Sequence, residues 1–157
     1  MRRGVTHFVA LGREEFDSAK ALITCVELLH VTFSRFKFTS HLEARTEPEG
    51  QIELASSSRL SPSIKEGLFT ITYDLGVQGF QGDILIIDVG ARIEALYSVP
   101  KDKSFGDAQM KAFARSNGML NVWPYWREYV QTATQRAGLA PLTLPLFRVL
   151  QKQKKAK

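Results

Sequence analysis

Hydrophobic and polar positions change their period along this chain, and each change marks an element. Phe69, Ile71, Tyr73, Leu75 and Val77 alternate with Thr70, Thr72, Asp74 and Gly76. Leu85, Ile87, Val89, Ala91, Ile93, Ala95, Tyr97 and Val99 alternate with a set that includes Asp88, Arg92, Glu94 and Ser98. Strict alternation predicts strands of an antiparallel sheet with one face buried and the other polar. The glycine-rich GVQGFQGD between them predicts a hairpin loop. Upstream, REEFDSAKAL (13–22) predicts a short helix leading into a strand. From Ile23 the period is two: Ile23, Cys25, Leu29, Val31 and Phe33 share a parity, with Glu27 as the exception. The apolar parity then moves to Phe36 and Phe38, which predicts a bulge near Ser34–Arg35. A hairpin through Glu47-Pro48-Glu49-Gly50 leads to a further strand around 51–55, and SSSRLSPS (56–63) reads as a mobile polar loop. Four antiparallel strands by residue 100 is the expectation.

After Pro100 the period becomes helical. Asp107 is the expected cap of a helix with Met110, Phe113 and Ala114 inward, ending near Asn117–Gly118. A second helix opens around Asn121, with Pro124 in its first turn. Val122, Trp126, Tyr129, Val130, Ala133 and Ala137 form one stripe; Arg127, Glu128, Gln131, Thr132 and Gln135 take the other side. Gly138 is placed as a left-handed stop. Strands followed by helices give an α+β fold with the helices on one side of the sheet.

Composition narrows the function classes. At 157 residues, the chain is expected to form one domain over 1–151 with a basic tail over 152–157. Lys152, Lys154, Lys155 and Lys157 carry most of the net charge of +5, so the basicity belongs to the tail and not to a face. Such a tail reads as a frayed, solvated end, or as a charge contact with nucleic acid or an acidic partner. Cys25 is the single cysteine, which excludes an intramolecular disulfide and points to a cytoplasmic, reducing setting. The start of the chain lacks a signal-peptide core, and no apolar run is long enough to insert in a membrane.

Reactive chemistry is not visible in the pattern. His7, His30 and His41 are scattered without a cysteine at ligand spacing, so no metal is expected, and His30 falls on a strand's polar face. Gly76, Gly79 and Gly82 join strand to strand, whereas a phosphate cradle needs a helix N-terminus. Ser56, Ser57 and Ser58 lack a nucleophile-elbow context. Asp74, Asp83 and Asp88 are spread out as solvating charges. The reading is of a protein that is not an enzyme and uses no cofactor. Nucleic-acid binding is disfavoured, because the aromatics of 123–129 are accompanied by nearly balanced charge.

Those aromatics stand in VWPYWREYVQTATQRA, followed by GLAPLTLPLF. Trp123-Pro124-Tyr125-Trp126-Arg127-Glu128 resembles the aromatic-Pro-Tyr-small-Arg-Glu motif that opens the first long helix of SecB-type export chaperones. Gly138-Leu139-Ala140-Pro141-Leu142-Thr143-Leu144-Pro145 is similar to the apolar crossover loop after that helix. The resemblance spans roughly residues 23–147. It implies a four-stranded sheet, a short helix, a long helix and a crossover loop, assembled as a tetramer built as a dimer of dimers. It implies a holdase that wraps unfolded polypeptide along hydrophobic grooves without ATP, for export or for a dedicated client such as an antitoxin. The alternative is a small interaction or regulatory protein on the same fold, binding one partner protein or nucleic acid.

Three departures accompany the resemblance. Only Phe147 to Gln151 remain where the family has a second helix, which leaves that groove wall short or absent. Trp126 replaces a small residue. The chain is basic where typical members are acidic, so the secretion motor ATPase is not carried over as a partner. Within this frame Trp123, Tyr125, Leu139, Leu142, Leu144, Leu146 and Phe147 are the candidate client contacts. The first two lie off the helix's main stripe or at its edge; for the others the prolines keep their strip irregular and its apolar area available. Leu139 to Phe147 divide evenly between core lid and client ledge. Trp126, Tyr129, Val130 and Ala133 are read as helix core or subunit contact. Arg127 and Glu128 are read as a local ion pair or a subunit salt bridge.

Overall fold

A computed structural model describes residues 4–152. Strand β1 (Phe8–Leu11) and helix α1 (Arg13–Ile23) come first. Strands β2 (Glu27–Ser40), β3 (Glu53–Lys65), β4 (Leu68–Gln81) and β5 (Ile84–Ser98) follow. Helix α2 (Asp107–Phe113), a π-turn (Ala114–Gly118), helix α3 (Met119–Arg136) and strand β6 (Arg148–Gln151) complete the described chain. The basic tail expected over 152–157 lies, apart from Lys152, outside the described residues.

Strands β2 to β5 form one antiparallel sheet in the order β2-β5-β4-β3. The alternation in β4 and β5 appears as burial: Phe69, Ile71, Tyr73, Val77, Val89, Ile93, Ala95 and Tyr97 are all enclosed beneath the helices. Each of the larger apolar side chains among them stabilises the fold by about 1.5–3 kcal/mol through its buried area. On the outer face Arg92 grips Asp74 through Nε and a terminal nitrogen at 2.8 and 3.0 Å. The parity switch in β2 is real, with a register shift between Phe33 and Arg35 that puts both Phe33 and Phe36 on the helix side. A second shift lies at Leu28/His30, and His30 pairs with Leu96 on the outer face.

Four expectations fail for physical reasons. Helix α1 extends through Ile23, and Cys25 lies in the following turn; the helix holds because Ala19 and Leu22, three residues apart, are both buried. The segment SSSRLSPS is not a loop but the middle of β3. A polar strand with a proline is tolerated there because β3 is an edge, bonded only to β4. Nor is there a β2–β3 hairpin: these strands occupy opposite edges of the sheet. The expected glycine-rich loop is mostly strand, closed by a two-residue turn at Gly82–Asp83, as Glu66–Gly67 closes β3 to β4.

The helical part is one rod and not two helices. Gly106, not Asp107, takes the N-cap position, and its N–H donates to Gln109 Oε1 at 3.0 Å. The break expected at Asn117–Gly118 is the π-turn, and α3 runs straight on with Pro124 inside it. Gly118 serves close approach: a Cβ there would sit 2.2 Å from Tyr73 Oη and 2.8 Å from an Ile71 methyl. The buried Tyr73 hydroxyl donates to Ala114 O at 2.7 Å, satisfying a carbonyl at the turn. Burial pushes that phenol well above the ordinary tyrosine range. Rod and sheet thus lock at one point, with Trp126 fully buried in the layer between them.

Where the family resemblance implies a second helix, the chain instead forms β6. It pairs in parallel with β1, in the register Phe8↔Arg148 to Leu11↔Gln151. Both ends of the described chain therefore meet in a two-stranded ribbon beside the helices.

Candidate functional site

Helix α3 presents two stripes, and they do different work. Val122, Trp126 and Val130 are buried toward the sheet, with Tyr129 and Ala133 half-buried beside them. The second stripe is Trp123, Arg127 and Thr134, and it holds the crossover 138–147. Gly138, at φ 79°, reverses the chain in a Schellman arrangement: its N–H donates to Gln135 O, and Leu139 N–H to Thr134 O. The crossover then runs back along the helix. Leu142 N–H donates to Thr134 Oγ1 at 3.0 Å. Arg127 Nε donates to Leu144 O at 2.6 Å, and Trp123 Nε1 to Pro145 O at 2.8 Å. Pro141 and Pro145 lack N–H groups, so the crossover cannot build a ladder of its own, and helix side chains satisfy its backbone.

This geometry sorts the sequence candidates. Leu144 is buried at 1% exposure, and Trp123 is buried too, its ring 5.2 Å from that of Phe147. Trp123 is covered by the chain's own crossover and Leu144 is buried within it. Leu139, Leu142 and Phe147 are half-buried. Tyr125 at 49% and Leu146 at 67% are open. Arg127 does not pair with Glu128; it holds the crossover backbone, while Glu128 accepts from Thr132 at 2.8 Å. Thr134 escaped the sequence reading because a threonine near a helix end carries no signal until its partner is known.

Two cavities flank the C-terminal end of α3. One of about 520 Å³ lies between the crossover residues Gly138–Leu142 and the β2–β3 connection at Arg45 and Pro48–Gly50, with Ile52, Leu54 and Ile87 as its floor. Its connection wall is set by Gln81, whose Oε1 accepts from Thr46 N and Glu47 N while Nε2 donates to Glu47 O. The other, about 350 Å³, is lined by Phe38, Ser40, Tyr129, Thr132, Ala133 and Arg136. Beside it Phe33 and Phe36 stack at 4.9 Å, and Tyr129 closes on Phe36 at 5.1 Å. The Tyr129 hydroxyl donates to Lys37 O at 3.0 Å, and burial raises its pKa. Phe36 remains 60% exposed, a large apolar side chain at the free edge of β2.

The surfaces are therefore open troughs, the smaller mainly apolar with aromatic edges and the larger of mixed polar and apolar lining. Among the described residues no group of three or more His, Cys, Asp or Glu is placed to hold a metal ion. No described helix is long and apolar enough to cross a membrane.

No protein-family model matches the sequence, and no curated protein matches it. Among solved structures there are matches. A Mycobacterium tuberculosis protein, the Rv1957 SecB-like chaperone in complex with a ChAD peptide from the Rv1956 HigA1 antitoxin, superposes with a TM-score of 0.75 at 17% identity. The match covers 85% of this chain and 99% of that one. A Streptococcus agalactiae protein of unknown function aligns at a TM-score of 0.41 and 11% identity, over 77% of this chain and 97% of that one. With its β2-β5-β4-β3 sheet, helical rod and crossover, the chain has the SecB-like fold.

Proposed function

We propose that this chain is a SecB-type chaperone, a holdase that keeps non-native polypeptide extended in its open troughs without nucleotide. The observation that carries the reading is a fold shared, over nearly the whole of the other chain, with a SecB-like chaperone seen holding an antitoxin peptide. The troughs fit that role, because holding many sequences requires apolar area and loose geometry rather than aligned reactive groups. Leu139 and Leu142 wall the larger trough, and Tyr125 and Leu146 offer further exposed apolar area toward the other end of the crossover. A dedicated client of antitoxin type, met in the cytoplasm, is the favoured substrate class.

Self-association belongs to the same reading. Strand β2 is an edge of the sheet, and Leu28, Leu29 and Phe36 are exposed along it. Such an edge is a template for pairing with another chain, which supports a dimer, and a dimer of dimers as the full assembly. The test is aggregation of a urea-unfolded enzyme diluted into buffer with and without this protein, alongside light scattering for mass. Suppression without ATP and a mass above one chain are expected. Leu139→Ser with Leu142→Ser should weaken suppression several-fold. A monomer that leaves aggregation unchanged would overturn the reading.

A further inference from the structure

We propose that the seat occupied by β1 on β6 is a docking surface for an extended apolar polypeptide, which enters by displacing β1. The proposal rests on the holdase reading and names how a client engages. The first observation is what the chain itself places there. Val5 and Thr6 lie where Ser56–Ser58 of β3, Leu75, Trp123 and Trp126 meet, with Thr6 N–H donating to Ser56 Oγ at 2.8 Å. The chain thus runs from Val5 at the edge of the sheet, past Trp123, and becomes the extended strand Phe8–Leu11 on β6. An extended apolar strand in that position shows what the position accepts.

The second observation is how the strand is held. Its pairing is backbone to backbone: Arg148 N–H donates to His7 O and Lys152 N–H to Leu11 O, each at 2.9 Å. Main-chain bonds of this kind do not depend on sequence and serve any strand added at an edge. Side-chain selection comes from one socket. Leu11 is fully buried, while Phe8 is about half exposed. An apolar cavity of about 420 Å³ lies beside Leu11 between α1, the π-turn and Val149. The incoming segment is accordingly a short strand carrying a leucine-sized residue at the position of Leu11, with little demand at the position of Phe8.

The third observation is weakness by construction. The ribbon has two strands of four residues, and an isolated two-stranded ribbon is marginal in water. The crossover that leads into β6 is fixed independently of β1, since Trp123 and Arg127 hold it at Pro145 O and Leu144 O. Displacing β1 therefore leaves the approach to β6 in place, and the incoming strand takes over the pairing that β6 makes with β1. The strand has only to turn about Gly12, the extended N-cap of α1.

A reversible lock tests this. Val9 and Val149 are direct partners, and neighbouring strands lie about 4.8 Å apart, within the disulfide range of about 4.4–6.8 Å. In a Cys25→Ser background, Val9→Cys with Val149→Cys is oxidised to pin β1, and circular dichroism verifies the fold. Binding of fluorescent, reduced and carboxymethylated lactalbumin is then read by anisotropy. The oxidised form is expected to bind at least tenfold more weakly, with full recovery on reduction. A labelled peptide of residues 4–12 should compete with the lactalbumin. If the reduced and oxidised forms bind equally well, β1 is a fixed structural strand and the proposal is wrong, although the holdase reading stands. If neither form nor the parent binds, the holdase reading fails, and hydrogen exchange then decides for the strand alone. Leu150 and Lys152 amides exchanging at least a hundredfold faster than those of β4 keep a displaceable β1, and equal protection overturns it.

Discussion

The layer between β4–β5 and α3 and the margin formed by the crossover and the β1–β6 ribbon use similar residues to opposite ends. In the layer, apolar side chains interdigitate from two long strands and a helix, and each is enclosed on all sides. In the margin the apolar residues other than Leu11 and Leu144 are partly or largely open, and the crossover is held by single hydrogen bonds from Trp123, Arg127 and Thr134. Packing of the first kind is lost all at once or not at all, whereas pins of the second kind release singly. The comparison teaches where global stability resides and where the molecule can open without unfolding.

The largest effect is expected in the layer. Trp126→Ala removes a fully buried indole and should cost about 3–5 kcal/mol in urea unfolding. A loss under about 1 kcal/mol would mean that rod and sheet are not one cooperative unit, and the comparison would break. Next comes the lock at the π-turn. Gly118→Ala places a methyl against Tyr73 Oη and Ile71, with an expected cost of about 1–3 kcal/mol. Tyr73→Phe alone strands Ala114 O and is itself destabilising. Combined with Gly118→Ala, however, it removes the clashing oxygen, so the two costs should sum to more than the double variant shows. Strict additivity in that cycle would place the steric conflict elsewhere.

How much of this was legible follows the same divide. The alternation of β4 and β5 is plain in the sequence because both are central strands buried on one face. The bulge near Ser34 and the stop at Gly138 were legible because each depends on local chemistry. Strand β3 was not, since an edge strand can carry serines and Pro62 and so loses the signature of a strand. Gly118 looked like a helix end because its reason, the Tyr73 hydroxyl, comes from a distant strand. Trp123 looked like surface because the crossover that covers it lies 22 residues ahead. The four-residue strands β1 and β6 have no period to detect, and their pairing joins opposite ends of the chain. The resemblance to SecB-type proteins supplied the long helix and the crossover after it, but neither the strand order of the sheet nor the β1–β6 ribbon.

A pin in the margin should cost far less than a core residue and act locally. Trp123→Phe keeps an aromatic ring against Phe147 but removes the donor to Pro145 O. About 0.5–1.5 kcal/mol of stability is at stake. The sharper readout is hydrogen exchange, where the amides of Phe147 and Arg148 should exchange faster while those of β4 and β5 are unchanged. Uniform acceleration across both regions would show that the margin opens only with the whole fold.

The smallest effect is a pH dependence at the hinge between β1 and α1. Glu15 is held below its ordinary carboxylate range, chiefly by accepting the Gly12 N–H at 2.9 Å, with Arg115 adding attraction at 2.9 Å. A depressed folded-state pKa means that the carboxylate's contribution is complete above the ordinary value of 4.5. It is lost as pH falls through the lowered value, because the unfolded chain takes up the proton first. Glu15→Gln removes the titration and should cost about 0.3–1 kcal/mol near neutral pH, as exposed caps and ion pairs do. The gap between the variant and the parent should close as pH falls below 4.5. With the cap at Gly12 weakened, the amides of β6 bonded to β1 should lose protection in the same window. Those of β4 should not, and a gap that widened toward acid pH would show that Glu15 does not hold the hinge.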